Sequence, residues 1–525
     1  RNALVEKNAS IRLVLSGTRS NASGIGSRVD LRSGERRIFR NIDAPHVLIG
    51  VGPVHTVDTL LLVWSNGVTD AREKLAVAAA HTIIEPMVMV GSCPYLYAWD
   101  GERFRFVTDI LGSSPLGLML RPGLVVPADV DEIVALGDER LFKPQQTPAG
   151  PRLVVEVTSE LREVLYLEGA RLLALDAPVG VELHPTDKVM PPPFPPSEVW
   201  AIGNVRTAER AARDDGTDAT EVLSREDGRR IGPRVLRRGQ LRGLAELHEL
   251  TLDFGPLDTT RPLVLVLSGW LQWGDASVNV GAAQIASLGN PFPRLAARAA
   301  DGPWQDVDVI VGAPAGKTKT ILVDLAGRLP AGTRELRISS EIEIYWDRIA
   351  LGERTEDPRT TPLDAAAAEL RFRGVSRTEK PSRDAPLVPV YDDLLERPPW
   401  RTIPYGWCTR YGDVLPLLAP GDGRMVVANC GDAVRIEFDP QGLPPLPPGW
   451  RREYFLFSVG WDKDSDHHVR TGDRVAPLPR LEMDDQIYGT PEYDEPRDEW
   501  IYEFNTRWVA PEVESLPWRD STRPH

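Results

Sequence analysis

The chain has 525 residues, 42% of them apolar and 26% charged, with 61 basic against 76 acidic residues and a net charge of −15. That composition is globular and not disordered, no run of about 18 apolar residues is present to cross a membrane, and the acidic balance makes nucleic acid and anionic lipid poor partners. Pro 47 and Gly 44 together make about 17% of the chain, above the usual share, which favours many short elements joined by turns over a helical bundle.

Residues 1–90 alternate short apolar runs with polar turns. Ile11–Leu15, Arg28–Arg32, Arg36–Arg40, Val47–Val51, Thr59–Trp64 and Thr82–Glu85 read as strands, Asn66-Gly67 as a tight turn, and Asp70–Ala80 as one short helix. Tyr95–Trp99 and Phe104–Thr108 read as a hairpin closed by Asp100-Gly101. Leu153–Ser159, Val164–Leu167 and Arg171–Leu175 follow as strands. The run Pro191–Pro196 must be extended and marks a boundary or a surface strap.

Ala201–Arg238 is charged and Arg-rich, with a short helix expected near Thr207–Arg213. Strands resume at Leu247–Phe254, Leu263–Trp270, Val307–Val311, Thr320–Leu325, Glu335–Ser339 and Glu341–Trp346. The Ala run in Thr361–Leu370 suggests a helical turn or two. Beyond Lys380 the chain is Pro-rich and aromatic, with strands at Met425–Ala428, Ala433–Phe438 and Tyr454–Val459. Residues 481–525 carry twelve Asp/Glu and four Arg, an acidic tail that is a solvated surface or a docking segment. The expected fold is all-β: several antiparallel sandwich-like domains with few short helices, divided at 1–90, 91–198, 199–375 and 376–525.

Three segments carry candidate chemistry. Gly312-Ala-Pro-Ala-Gly316-Lys317-Thr318 is one residue short of a phosphate-binding loop and runs into a strand, so it lacks the helix N-terminus that would hold an anion. A hairpin turn with a basic tip is the better reading. Asp462, Asp464 and Asp466 alternate, with Asp473 at the twelfth position, as ligands of a calcium loop do. His467 stands where such a loop wants Gly, and a solvated acidic turn is the other reading. Trp270, Trp273, Asp275 and Asn279, with Trp346 and Asp347, offer indole faces beside polar groups. That pattern suits a sugar platform, or core tryptophans of a sandwich.

Catalytic patterns are sparse. Glu341 and Glu343, on one strand face, and Asp347 form the carboxylate set of a glycan-active alternative. No GxSxG, HExxH or Cys/His zinc spacing occurs. Cys93, Cys408 and Cys430 are too few for a disulfide scaffold, although Cys408 and Cys430 are spaced to pair.

The order Leu15-Ser-Gly17-Thr-Arg19-Ser20-Asn21, Gly24-Ile25-Gly26-Ser-Arg28-Val29, Val47-Leu-Ile-Gly50-Val-Gly52, Val57-Asp58, Val63-Trp64-Ser65-Asn66-Gly67 and His81–Pro86 resembles the ASPIC/UnbV domain over residues 1–88. Residues 92–510 are similar to the region that follows this domain in some bacterial proteins. Cys93-Pro94, Trp99-Asp100-Gly101, Gly316-Lys317, Tyr345-Trp346-Asp347 and Gly460-Trp461-Asp462 carry that similarity. The layout resembles the cartilage acidic protein family, in which FG-GAP propeller repeats precede the domain. The resemblance implies a secreted, periplasmic or cell-surface setting, with upstream repeats of the same full-length chain as a partner. Arg1 then reads as an internal cut.

The expected function is therefore non-catalytic recognition of a carbohydrate or a protein surface, with calcium as the one candidate cofactor. The alternatives are the glycan-active enzyme and a pure scaffold for the upstream repeats.

Overall fold

The computed structural model describes residues 8–17, 20–65, 69–85, 93–237, 242–272, 274, 276–284, 291–398, 400–466 and 468–517. The fold is all-β, built from largely antiparallel sheets, and its two described α-helices, Ala276–Ala282 and Glu499–Phe504, are short. None of the described helices is long and apolar enough to cross a membrane.

The first unit is a two-sheet sandwich. Ala9–Ser16 buries Ile11, Leu13 and Leu15 while Arg12 and Ser16 face solvent, the period-two pattern of a half-buried strand. It lies between His46–Gly52 and Ala80–Ile84, the latter parallel to it. The facing sheet runs Arg36–Asn41, Arg28–Ser33, Thr56–Val63, Thr69–Ala76, and Val29, Leu31, Leu60, Leu62 and Trp64 close the core from that side. The helix expected over Asp70–Ala80 is instead the edge strand Thr69–Ala76, paired with Thr56–Val63. Its exposed Arg72, Glu73 and Lys74 gave no apolar stripe to hold a helix against the core. The Asn66-Gly67 turn lies outside the described residues, between strands that pair at Val63 and Thr69.

An eleven-stranded sheet dominates the rest. Its main path is Asp131–Asp138, Trp450–Asp464, Glu163–Pro178, Arg359–Phe372, Asp432–Phe438, Gly150–Thr158, Tyr95–Trp99, Phe104–Asp109. Val164–Leu167 and Arg171–Leu175 are parts of one sixteen-residue strand, which pairs with Trp450–Asp464 across a bulge at Leu167/Gly169. The Ala run near Ala365 is extended, not helical. A few alanines cannot nucleate a helix alone, whereas this strand is paired on both sides, to Arg171–Asp176 and to Asp432–Phe438. Asp100-Gly101 belongs to a four-residue connection, since Trp99 pairs with Phe104 and Asp100 accepts from the Glu102 and Arg103 amides.

Residues 182–354 are inserted into that sheet's chain path and form a second sandwich. One layer runs Glu182–Pro185, Val199–Thr207, Ile344–Arg354, Leu263–Leu271, Lys319–Asp324. The other runs Arg210–Arg213, Leu244–Asp253, Glu335–Ile342, Arg294–Arg298, Gln305–Asp306. Every residue of Leu263–Leu271 is buried: Leu265 and Leu267 pack into the inter-sheet core, Val264 and Val266 into a smaller cluster on the outer face. The sheets thus divide the chain differently from boundaries at 198 and 375. Pro191–Pro196 sits inside a hairpin of the insertion, between Glu182–Pro185 and Val199–Thr207, and strands on both sides of the insertion share one sheet. The expected helix at Thr207–Arg213 is the end of one strand and the start of another, and Val307–Val311 is an irregular segment whose end residues are buried.

Cys93, Cys408 and Cys430 are buried free thiols. The pairing of Cys408 with Cys430 is not formed; Asn429 Nδ2 lies 3.8 Å from Cys408 Sγ, and burial pushes that thiol up to about 12.

Candidate functional site

Two of the tryptophans singled out by their spacing, Trp270 and Trp346, are core residues. Trp270 and Tyr345 are cross-strand partners whose rings stack at 4.7 Å and 7°, and the Trp270 indole N–H donates to the Asp384 carbonyl at 2.8 Å. Trp346, next along the strand, faces the opposite side and is part of the inter-sheet core. Both indoles are buried, so neither presents a face for stacking. Asn279 is half-buried in the helix Ala276–Ala282, while Trp273 and Asp275 lie outside the described residues.

Asp347 is buried beside that pair. It accepts from the Asp227 amide at 3.1 Å and the Gly228 amide at 3.2 Å, and Arg230 Nη2 stands 3.4 Å away. Burial raises its carboxyl, and Arg230 opposes the rise. Glu341 ends a strand of one layer and carries a loose 3.8 Å contact to Arg237, whereas Asp347 belongs to the other layer. Glu343 sits at the crossover between the layers, where its Oε1 accepts from the Tyr345 hydroxyl at 2.9 Å. Glu341 and Glu343 therefore do not share one strand face. Glu341, Glu343 and Asp347 line neither the cavity bounded by Phe106 and Arg230 nor the one bounded by Leu173 and Pro358.

Asp462 and Asp464 are buried on the strand Trp450–Asp464, not on a curved loop. Glu163 faces Asp464 across the neighbouring strand and accepts from the Cys93 amide at 2.8 Å. Burial, reinforced by Asp462 and Asp464, pushes Glu163 well up. Asp466 caps the His468 amide at 2.8 Å, and Asp473 faces solvent with Arg474 at 3.1 Å. His467 lies outside the described residues. Among the described residues, no three His, Cys, Asp or Glu side chains gather as a metal site would require.

The Gly316–Lys317 segment is buried and not an exposed basic tip. It plugs the insertion into the large sheet: the Lys317 amide donates to both Asp109 carboxylate oxygens at 3.0 and 3.1 Å. Lys319 Nζ reaches Glu132 at 2.6 Å and Asp109 at 3.6 Å. Gly316 has φ +72°, and a Cβ there would collide with the Asp109 carboxylate.

Two features were not singled out from the sequence. The first is an exposed aromatic ribbon. Gly406–Cys408 pairs with Arg507–Val509, bringing Trp407 opposite Trp508 with ring centroids 5.3 Å apart at 67°. These indoles are 55% and 51% exposed, and Tyr405 lies 6.3 Å from Trp508. Gly406, Cys408 and Val509 are buried beneath them. Arg507 anchors the ribbon through the Thr409 carbonyl, the Tyr411 hydroxyl and Asp432. Each segment is three residues long with one central Trp, and nothing local announces the pairing, which is set by topology.

The second is a cavity of about 410 Å³ where the large sheet, the insertion and the segment 381–388 meet. Phe106 and Val107 form its sheet wall, Arg230, Asp227, Lys317 and Thr318 its insertion wall.

Comparison with known proteins gives no family: no family model matches the chain, and no curated protein matches it. Among solved structures, a GH31 alpha-xylosidase from Xanthomonas citri is matched at 11% identity with a TM-score of 0.13. The match covers 67% of this chain and 37% of that one, so the chain spans little more than a third of that enzyme's length.

Proposed function

We propose that this chain is a non-catalytic recognition region whose contact surface is the Trp407–Trp508 ribbon and whose ligand class is carbohydrate. The observation that carries the reading is two half-exposed indoles paired on a fixed ribbon. A buried Trp removes roughly 150–250 Å² from water, worth about 25 cal/mol per Å². Leaving two indoles half in solvent forgoes part of that gain, and such patches mark contact sites. Indole faces stack on the apolar faces of sugar rings, and rings inclined at 67° suit successive units of a ligand that twists along its length. The net charge of −15 favours a neutral glycan over an anionic polymer at this surface.

The motif order in residues 1–88 supports an accessory role beside other repeats of the same full-length chain, in an exported or cell-surface protein. In that setting the ribbon is the ligand-facing part of a larger assembly.

The test is titration of a panel of neutral polysaccharides, with Trp407→Ala and Trp508→Ala as variants. Each substitution is expected to weaken binding tenfold or more, and to leave stability within about 0.5 kcal/mol because neither indole is core. Unchanged affinity in both variants, or no binder in the panel, rejects the reading.

A further inference from the structure

We infer that the outer face of the four-stranded sheet in the first unit is a docking surface for an anionic polysaccharide, a sugar chain that carries carboxylate or sulfate groups. It is separate from the aromatic ribbon and does not rest on it.

The strands Arg28–Ser33 and Arg36–Asn41 form a hairpin that holds five arginines, Arg28, Arg32, Arg36, Arg37 and Arg40, against two acidic residues, Asp30 and Glu35. Period two assigns its faces. Val29 and Leu31 enter the sandwich core, so Arg28, Asp30 and Arg32 stand on the outside. The register sets Asp30 beside Phe39 on one neighbouring strand and beside Leu61 on the other, and sets Arg32 beside Arg37. Phe39 is 58% exposed even with the Arg37 guanidinium 4.4 Å from its ring centre.

The charges on this face do not cancel. Asp30 is taken up by Arg37, whose Nε and Nη2 reach it at 3.0 and 2.7 Å. Arg37 holds the Asp30 carboxyl below its ordinary value, and Arg32 and Arg401 add to the effect, so Arg401 brings a further exposed cation to the same face from the segment near Trp400. Among the described residues, the exposed Arg28 and Arg32 make no salt bridge. The surplus positive charge therefore stands at both ends of a row, with Arg28 and Arg32 roughly 13 Å apart along the strand and an apolar ring beside its middle.

That arrangement suits a polymer that offers anionic groups at intervals and apolar ring faces between them. The guanidinium fork meets carboxylate and sulfate oxygens in pairs, and Phe39 with Leu61 gives the apolar contact for a pyranose. Screening limits the reach of each charge to about 8 Å at physiological ionic strength, so the local patch and not the net charge of −15 decides what docks on it. A nucleic acid duplex or an anionic vesicle would press a broad negative surface onto the acidic remainder of the protein, whereas a single sugar chain need touch only the hairpin. Single-stranded nucleic acid is held by successive aromatic faces, and Phe39 is one ring.

Calorimetric titration of the full chain with polygalacturonate, dextran sulfate, neutral dextran, poly-L-glutamate and oligo-dT tests the inference. At least one of the two anionic glycans is expected to bind saturably, about tenfold or more tightly than the other three probes, and more weakly as salt is raised. Which of the two binds identifies the anionic group. Arg28→Gln/Arg32→Gln is expected to weaken that binding about tenfold or more with an unchanged melting temperature, since both side chains are exposed. Arg103→Gln/Arg328→Gln removes the same charge from exposed positions of the large sheet and the insertion, and is expected to bind as the parent does. Phe39→Ala is expected to erase the preference for glycan over poly-L-glutamate. Trp407→Ala/Trp508→Ala is expected to leave binding intact, which separates this surface from the ribbon. The inference is overturned if neither anionic glycan binds, if poly-L-glutamate or oligo-dT binds as tightly, if the two arginine pairs behave alike, or if the glycan preference survives Phe39→Ala.

Discussion

Replacing Lys319 by Met is expected to lower the unfolding free energy by about 3–5 kcal/mol, the range measured when one partner of a buried ion pair is removed. Lys319 belongs to the insertion and its two carboxylates to the large sheet. Glu132 and Asp109 are both nearly inaccessible to solvent. Burial alone would depress the lysine, yet the Glu132 and Asp109 carboxylates outweigh burial and hold it above its ordinary value. Met fills similar volume but leaves two carboxylates facing each other in low dielectric. The control is Lys319→Met/Glu132→Gln. Removing charge from both sides relieves the orphan carboxylate, so the double variant is expected to regain part of the loss. Urea unfolding of the parent, both single variants and the double variant checks this. A loss below about 1 kcal/mol for Lys319→Met, or strict additivity in the cycle, counts against a coupled bridge between sheet and insertion.

The same bridge shows where the sequence was readable and where it was not. Strand positions follow from local pattern, so Ala9–Ser16 and Leu263–Leu271 declare themselves by alternation or by an unbroken apolar run. What local pattern cannot supply is the partner. The Ala-rich strand Arg359–Phe372 is helical by propensity and extended by pairing, because hydrogen bonds from strands on both sides outweigh a weak intrinsic preference. Gly316-Lys317-Thr318 looked like an exposed tip because nothing near it in sequence announces Asp109 and Glu132. Trp270 and Trp346 drew notice through their polar neighbours, yet a strand covered on both faces buries whatever it carries. Trp407 and Trp508 sit in unremarkable segments and become a surface only when Gly406–Cys408 and Arg507–Val509 pair. Elements were legible; the sites, which join distant elements, were not.

Lys463→Met is expected to raise stability near neutral pH, and the gain should shrink as pH rises. Lys463 is fully buried on the strand Trp450–Asp464. Its Nζ donates to the Val475 carbonyl at 2.8 Å and the Tyr488 hydroxyl at 3.0 Å, and lies 5.5 and 5.6 Å from the Tyr166 and Tyr488 ring centres. Burial lowers the amine from 10.5 to about 7, against opposition from Asp473 and Glu495. The unfolded chain therefore binds a proton that the folded chain releases between about pH 7 and pH 10.5. Where the unfolded state holds more protons, stability rises with pH, here by about 1.4 kcal/mol per unit across that window. Below pH 7 both states are charged and the folded state carries the whole penalty, about 4–5 kcal/mol on this accounting. Met removes the penalty at every pH. It also gives up two hydrogen bonds, but their acceptors remain engaged, since Val475 still accepts from the Tyr166 hydroxyl and Tyr488 still donates to the Pro477 carbonyl. Asp187 and Asp129, raised to about 7 and about 8 chiefly by burial, work in the other direction: their stabilisation is present at low pH and is lost as pH rises through those values. The difference between variant and parent cancels them. Urea unfolding of both proteins at pH 7.5, 8.5 and 9.5 should show the advantage of the variant falling by about 1 kcal/mol or more per step. A difference independent of pH would mean that the lysine keeps its charge in the fold, held by the carbonyl, the hydroxyl and the two aromatic faces around it.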